Sequence, residues 1–165
     1  MNAEPEASLD GEATALLSLC RERGWHIATA ESCTGGLIVA TLTAIAGCSH
    51  VVDRGFITYS NEAKTEMLGV PEEMIAAHGA VSEPVAAAMA TGALARSDAS
   101  VAISCTGIAG PDGGSEEKPV GLVYIGCAQE GRPCAVERHL FPGDRAAVRA
   151  ATVRAAFRML RALSD

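Results

Sequence analysis

The stretch "HIATAESCTGG", residues 26–36, joins two sequence patterns and decides how the rest of the chain is interpreted. Its first five residues form a short run compatible with a β-strand, and the next six carry two hydroxyls, a thiol, a carboxylate and two glycines. Beyond it, apolar or small side chains recur at helical spacing, at Leu37, Ile38, Thr41, Leu42 and Ile45. The stretch is therefore predicted to be a strand-to-helix turn that carries chemically reactive groups.

Strand and helix patterns alternate along the whole chain. Strands are predicted over 26–30, 55–60 and 100–105, followed by an antiparallel pair over 120–128 and 134–141. Helices are predicted over 9–23, 35–46, 61–67 with Asn61 as N-cap, 71–78, 84–96 and from 143–144 to the C-terminus. This order predicts an α/β fold, a three-layer α/β/α sandwich with a mixed, mostly parallel sheet of about five strands. We expect a single domain over 1–165, with residues 1–8 flexible.

Composition excludes several classes of protein. The net charge of −7 argues against a nucleic-acid partner, and the arginines of the last helix are expected to form a solvated face. Apolar runs stay well below the ~20 residues of a membrane span, and no leader pattern is present, so we expect a cytoplasmic protein without a membrane partner. The six cysteines contain no CxxC pair, which predicts free thiols and no metal site.

Three segments rich in reactive or flexible residues follow predicted strands, at 31–36, 60–64 and 104–118. In open α/β sheets, ligands bind at the carboxyl ends of the strands. These segments are therefore predicted to form one site.

Within the first segment, Ser32 has three possible roles. Its hydroxyl is a candidate helix cap, a candidate contact in a phosphate cradle, or a nucleophile. For a nucleophile, the oxyanion would be bound by backbone N–H groups near Cys33 and Thr34 or by those near Gly107. Gly35 and Gly36 would let a substrate approach the backbone. The Cys33 thiol is a rival nucleophile, because positions at a helix start lower the pKa of a thiol.

A serine nucleophile needs a base, and the chain has only two lysines, Lys64 and Lys118, against eleven arginines. To act as a base near neutrality, Lys64 must have a pKa about three units below ~10.4, which requires burial or a cationic neighbour such as Arg54. The alternative is a solvent-exposed lysine on a short helix. Tyr59 and Asn61 are available to add hydrogen bonds.

The third segment is a glycine-rich loop that begins with Thr106 and Gly107, at the end of a predicted strand. Arg145 falls in the first turn of the last helix, where a cation opposes the helix dipole. Pairing with Asp144 or with a bound phosphate would explain an arginine at this position.

Five motifs in order, "TAESCTGG", "GFITYSNEAK", "HGAVSEP", "TGIAGPDGGSEEKPVG" and "PGDR", closely resemble the CinA C-terminal domain family. The resemblance runs from about residue 9 to residue 163. It implies a three-layer sandwich, usually dimeric, and a Ser/Lys amidohydrolase that converts nicotinamide mononucleotide to nicotinate mononucleotide and ammonia.

The resemblance also implies roles for individual residues. Ser32 would be the nucleophile and Lys64 its base, with Tyr59 and Thr106 supporting substrate or proton transfer. Arg145 would contact the nucleotide. We therefore expect a small-molecule nucleotide substrate, a homodimer, and neither a metal nor a cofactor. Two alternatives stay open: a non-catalytic nucleotide-binding module, and an amidase that uses Cys33.

Overall fold

The computed structural model describes residues 8–165 and divides them into alternating helices and strands. The five strands are β1 (Ile27–Glu31), β2 (Val52–Ile57), β3 (Val101–Gly107), β4 (Leu122–Gln129) and β5 (Ala135–Leu140). The α-helices of this part of the chain are α1 (Leu9–Arg23), α2 (Leu37–Thr43), α3 (Asn61–Leu68), α4 (Glu72–His78), α5 (Glu83–Ala95) and α6 (Arg145–Ala162). A short 3₁₀ turn, Cys48–His50, precedes β2.

The strands form one mixed sheet in the order β2-β1-β3-β4-β5. β1 pairs in parallel with β2 and β3, whereas β3–β4 and β4–β5 are antiparallel. In this register Glu31, the last residue of β1, lies opposite Ile57 on one side and Cys105 on the other. The carboxyl ends of the three parallel strands therefore meet at one edge of the sheet, as predicted.

Helices cover both faces of the sheet and confirm the predicted three-layer sandwich. On one face, α1, α2 and α6 pack on large apolar side chains such as Ile27, Ile103 and Ile125. On the other face, α5 lies close to the sheet over small residues. The Ser104 hydroxyl there donates to the Ala86 carbonyl at 2.6 Å.

The structure corrects several predicted boundaries. β2 starts at Val52, three residues earlier than predicted, and α2 starts at Leu37, two residues later. Ser60, and not Asn61, is the N-cap of α3, because its hydroxyl accepts the Ala63 N–H at 3.1 Å.

The predicted flexibility of residues 1–8 concerns residues 1–7, which lie outside the described part of the chain, and Ser8. The Ser8 hydroxyl accepts the Gly11 N–H at 3.2 Å and caps α1, and the flexibility of this segment stays a prediction. Within residues 8–165, none of the helices has the length and apolar character needed to cross a membrane.

Candidate active site

A hydroxyl and an amine meet at the shared edge of the parallel strands. The Ser32 Oγ follows β1, and the Lys64 Nζ comes from the first turn of α3, after β2; the two atoms lie 3.0 Å apart. The Lys64 side chain is almost completely buried, with 1 % of the residue exposed. The alternative of a solvent-exposed lysine is therefore wrong.

The surroundings of Lys64 suit a neutral amine. Burial lowers the pKa of Lys64 from 10.5, while charge on Cys33, Cys105 and Glu62 acts in the opposite direction. The Nζ lies within hydrogen-bond distance of the Thr58 carbonyl at 3.0 Å and of the Tyr59 carbonyl at 3.2 Å. The Ser60 carbonyl lies 3.4 Å from the same atom. In the neutral form that burial favours, the amine keeps a lone pair that can accept the Ser32 proton.

Glu31, and not Ser32, caps the helix that follows the turn. The Glu31 carboxylate is fully buried and accepts the N–H groups of Ile38 at 2.7 Å and Val39 at 3.1 Å. It also accepts the Thr34 hydroxyl at 2.6 Å. The cap interpretation of Ser32 is therefore wrong. The sequence reasoning missed Glu31, because it lies six residues before α2, whereas the known N-terminal signals fall at the N-cap and in the first turn.

The turn leaves two backbone donors beside Ser32. The Ser32 N–H donates to the Cys105 carbonyl and the Gly35 N–H to the Ser32 carbonyl, both at 3.0 Å. The N–H groups of Cys33 and Thr34 donate to no other residue within 8–165. Unpaired N–H groups next to a nucleophile are the donors that an oxyanion requires.

The two glycines of the turn allow its backbone to adopt positive φ angles. Gly35 and Gly36 have φ values of 58° and 103°, in the left-handed region that other residues avoid. Neither glycine lines the pocket described below. The predicted contact of Gly35 and Gly36 with substrate is therefore not supported by the residues that line the pocket.

The Cys33 thiol lies beside the Cys105 thiol instead of a base. A hydrogen bond to Cys105, followed by burial, holds the pKa of Cys33 well above 9.0. The pKa of Cys105 is lowered, mainly by its hydrogen bond from Cys33. Cys33 is thus kept as a thiol, which disfavours the alternative of a cysteine-dependent amidase.

A cavity of about 180 Å³, here called the Ser32 pocket, opens above the Ser32–Lys64 contact. Its lining is Ser32, Cys33, Tyr59, Asn61, Lys64, Ala80, Val81, Thr106, Gly107, Ala109 and Arg145. The structure therefore gathers seven of the predicted site residues around one cavity. Thr34 lies behind the turn, fully buried.

Arg54 does not reach this pocket, so the predicted role in substrate binding is wrong in position. Its guanidinium donates to the Asp53 carboxylate at 2.7 Å and to the Arg96 carbonyl at 3.0 Å. Arg54 lies three residues before the carboxyl end of β2, which at the usual rise per residue is about 10 Å from the strand end.

Three of the lining residues are connected to each other or to the pocket walls. The Thr106 hydroxyl donates to the Ala80 carbonyl at 2.9 Å and holds the 79–82 segment against β3. The Arg145 guanidinium donates to the Gly110 carbonyl at 2.8 Å and to the Tyr59 hydroxyl at 3.1 Å. Arg145 thus joins the glycine-rich loop to the outer wall.

The predicted pairing of Arg145 with Asp144 does not occur. The Asp144 carboxylate caps α6 by accepting the Ala147 N–H at 2.9 Å. The arginines of α6 are also not simply a solvated face. Arg149 donates to the Thr34 carbonyl at 2.8 Å, Arg154 pairs with Glu12, and Arg158 pairs with Glu137.

The sequence reasoning missed the wall formed by Ala80, Val81 and Ala109. These residues carry no reactive group, so no chemical signal marks them. A larger cavity of about 550 Å³ lies between α1 and α6, far from the strand ends. The Ser164 hydroxyl in its lining donates to the Arg161 carbonyl, whereas Ser32 contacts a buried amine, so we assign the chemistry to the smaller Ser32 pocket.

Comparison with known proteins identifies the family of this chain. A family model described as the CinA C-terminal domain matches residues 10–164. The "CinA-like protein" of Syntrophobacter fumaroxidans is 56% identical over 146 residues, which cover 88% of this chain and 34% of that relative. The chain thus spans about a third of the length of such relatives.

Shorter relatives match along most of their length. The Escherichia coli K12 "Nicotinamide-nucleotide amidohydrolase PncC" is 56% identical over 129 residues, 78% of each chain. The crystal structure of the competence/damage inducible protein CihA from Agrobacterium tumefaciens has a TM-score of 0.94 at 46% identity and covers 100% of both chains. The match to the family model covers nearly all of the described residues, and the chain belongs to the CinA C-terminal domain family.

Proposed function

We propose that this chain is an amidase that hydrolyses the carboxamide of nicotinamide mononucleotide to nicotinate mononucleotide and ammonia. The observation that carries the proposal is the buried 3.0 Å contact between the Lys64 Nζ and the Ser32 Oγ beside a small pocket. The name of the Escherichia coli relative, at 56% identity, supports the choice of substrate.

In the first half of the reaction, the neutral Lys64 amine takes the Ser32 proton while the Ser32 Oγ attacks the carboxamide carbon. The negative charge that develops on the carboxamide oxygen is received by backbone N–H groups at the turn, among them the unpaired N–H of Cys33 in the pocket lining. The tetrahedral intermediate collapses when the C–N bond breaks, and the Lys64 ammonium returns its proton to the departing nitrogen. Ammonia leaves, and Ser32 carries the nicotinoyl group as an ester.

In the second half, water attacks the ester carbon and Lys64 accepts one of its protons. The same N–H groups stabilise the second oxyanion. Collapse releases the carboxylate product, and the Ser32 oxygen regains a proton from Lys64. One base therefore serves both steps, because its proton is passed on before each new attack.

The shape of the site suits a nucleotide with its carboxamide held innermost. The Ser32 pocket, at about 180 Å³, receives the pyridine ring. A second cavity of about 510 Å³ shares Ala109 and Arg145 with it and extends along the start of α6 to Arg149. We assign the ribose phosphate to this side, where Arg145 supplies positive charge to an anion that the net charge of −7 would otherwise repel.

The first prediction concerns turnover itself. Incubation of the protein with nicotinamide mononucleotide is expected to produce nicotinate mononucleotide in NMR spectra, together with an equal amount of ammonia. Ser32→Ala and Lys64→Ala are expected to bind the nucleotide with nearly unchanged affinity by calorimetry, because neither side chain carries the binding of the phosphate.

Arg54→Ala is the matched control, since it removes a charge outside the pocket, and its turnover is expected to stay within about twofold of the wild type. Binding without any turnover in the wild type would contradict the amidase proposal and would leave a nucleotide-binding module.

A further inference from the structure

The Glu31 carboxylate is a buried charge without a cationic side chain at hydrogen-bond distance among the described residues. It is 0 % exposed and lies at the last position of β1, one residue before Ser32. Burial of an ionised carboxylate is costly unless hydrogen bonds compensate for the lost water. Here the compensation is three donors: the Thr34 hydroxyl and the N–H groups of Ile38 and Val39.

The group that caps α2 therefore comes from Glu31, before the 32–36 turn, and not from a side chain within the turn. The N-cap residue of α2 is Gly36, which has no side chain to accept a hydrogen bond. The carboxylate of Glu31 reaches past the turn and accepts the second and third amides of the helix, the groups that an N-cap side chain normally satisfies. Hydroxyl groups within the turn are therefore not consumed in capping, and Ser32 stays available to Lys64.

The same carboxylate holds the middle of the turn. The Thr34 hydroxyl donates to Glu31 at 2.6 Å and lies 3.1 Å from the Cys105 sulfur. The Thr34 carbonyl accepts Arg149 at 2.8 Å. Residue 34 is thus attached at two atoms, and its N–H and that of Cys33 stay unpaired beside Ser32 within the described chain.

We infer that Glu31 is a positioning residue for the reaction: it fixes the 32–36 turn so that the Ser32 Oγ faces the Lys64 Nζ while the Cys33 N–H group, in the pocket lining, faces the substrate oxygen. The inference rests on the proposed amidase function and deepens it. Glu31 itself does not touch the substrate, because the Ser32 pocket is lined by its neighbours Ser32 and Cys33 and Glu31 is fully buried.

The geometry requires a carboxylate and not merely a side chain of this size. One carboxylate oxygen accepts Thr34 and Ile38, and the other accepts Val39. In Glu31→Gln, one of these oxygens becomes an NH₂ group that faces an N–H donor. The variant keeps the volume of the side chain and loses one of the attachments that hold the turn.

The experiment compares Glu31→Gln with Glu62→Gln, which makes the same change at a carboxylate that raises the pKa of Lys64 and lies on the exposed side of α3. Glu31→Gln is expected to lower kcat by about 10²-fold, the usual effect of a misplaced oxyanion donor, with KM within about threefold. The pH midpoint of its kcat/KM is expected to stay in place. Glu62→Gln is expected to keep the plateau rate and to shift that midpoint to lower pH, because Glu62 raises the pKa of Lys64.

A second readout does not depend on the nucleotide. A fluorophosphonate is expected to label Ser32 of the wild type, as shown by mass spectrometry, and to label Glu31→Gln about 10²-fold more slowly. Thr34→Val, which keeps the helix cap and loses the attachment of the turn, is expected to be slowed as well. Circular dichroism confirms that each variant is folded at the assay temperature.

Labelling and turnover of folded Glu31→Gln within about threefold of the wild type would overturn the inference. A crystal structure of that variant with an unchanged turn and a lost rate would do so too. If the wild type is labelled at Ser32 but leaves nicotinamide mononucleotide intact, the proposed substrate is wrong, and the labelling rates still decide the role of Glu31.

Discussion

Two pairs of buried reactive groups lie side by side at the end of β1. In one pair Ser32 contacts Lys64, and in the other Cys33 contacts Cys105. The two candidate nucleophiles are equally inaccessible, with 8 % of Ser32 and 5 % of Cys33 exposed. Exposure therefore does not select between them.

The two candidate nucleophiles differ in the group that each one contacts. Ser32 faces an amine whose pKa is lowered by burial, so a base is ready to take its proton. The Cys33 thiol donates to a second sulfur, and its pKa is raised, so the more nucleophilic thiolate form is suppressed. In the proposed mechanism, the weaker intrinsic nucleophile is therefore the activated one.

The largest expected effect is on turnover. Ser32→Ala and Lys64→Ala are each expected to lower kcat/KM by about 10³-fold or more, and the double variant by no more than the worse single one. The two groups act as one unit, so their losses do not add. Steady-state ammonia release measures all three.

Cys33→Ala and Cys105→Ala form the matched control, and each is expected to stay within about threefold of the wild type. Inactivation of the wild type by a thiol alkylator, together with an active Ser32→Ala, would reverse the assignment of the two pairs.

The next effect is the pH dependence of the rate. Only the neutral Lys64 amine accepts a proton, so kcat/KM is expected to rise about tenfold per pH unit and then to level off at the pKa of Lys64, below 10.5. If Cys33 were the nucleophile, the rate would still be rising above pH 9.0, because the pKa of Cys33 is raised well beyond that value. In a pH profile of kcat/KM, a plateau that begins below pH 9.0 would exclude Cys33 as the nucleophile.

The smallest effect is on stability. Because the pKa of Lys64 is lowered from 10.5 in the folded state, the unfolded chain binds more protons between the folded-state value and 10.5. The free energy of unfolding of the wild type, minus that of Lys64→Met, is therefore expected to rise with pH across this window. The slope cannot exceed about 1.4 kcal/mol per pH unit.

Urea unfolding of both variants at matched pH values gives this difference, in which the other titrating groups largely cancel. A difference that is flat or falls with pH would mean that burial does not destabilise the charged form of Lys64.

The location of the site was predictable from the sequence, because it follows from topology. Alternating strand and helix patterns imply parallel strands, and parallel strands bring their carboxyl ends to one edge. The segments with Ser32, Lys64 and Thr106 follow three such ends, so their proximity needed no knowledge of side-chain packing. The five motifs shared with the CinA C-terminal domain family pointed to the same residues, and the family assignment is confirmed.

Side-chain directions were not predictable in this way. The cap of α2 comes from Glu31, six residues before the helix begins, whereas local rules look for a polar residue at the N-cap itself. Arg54 was expected near Lys64 because it is close in sequence, but it lies further back along its strand and points to Asp53 and Asp98. The predicted homodimer and the cytoplasmic location stay predictions.

The contacts of the Lys64 amine join two neighbouring strands of the sheet, β2 and β1. The carbonyls that hold the amine belong to Thr58, Tyr59 and Ser60, its own chain neighbours, whereas the hydroxyl arrives from the adjacent strand. β2 is one of the two edge strands of the sheet, and local opening of a protein starts where few contacts hold the chain. In the proposed mechanism, turnover therefore depends on the pairing of β2 with β1, and separation of β2 would stop it even while the other four strands stay paired.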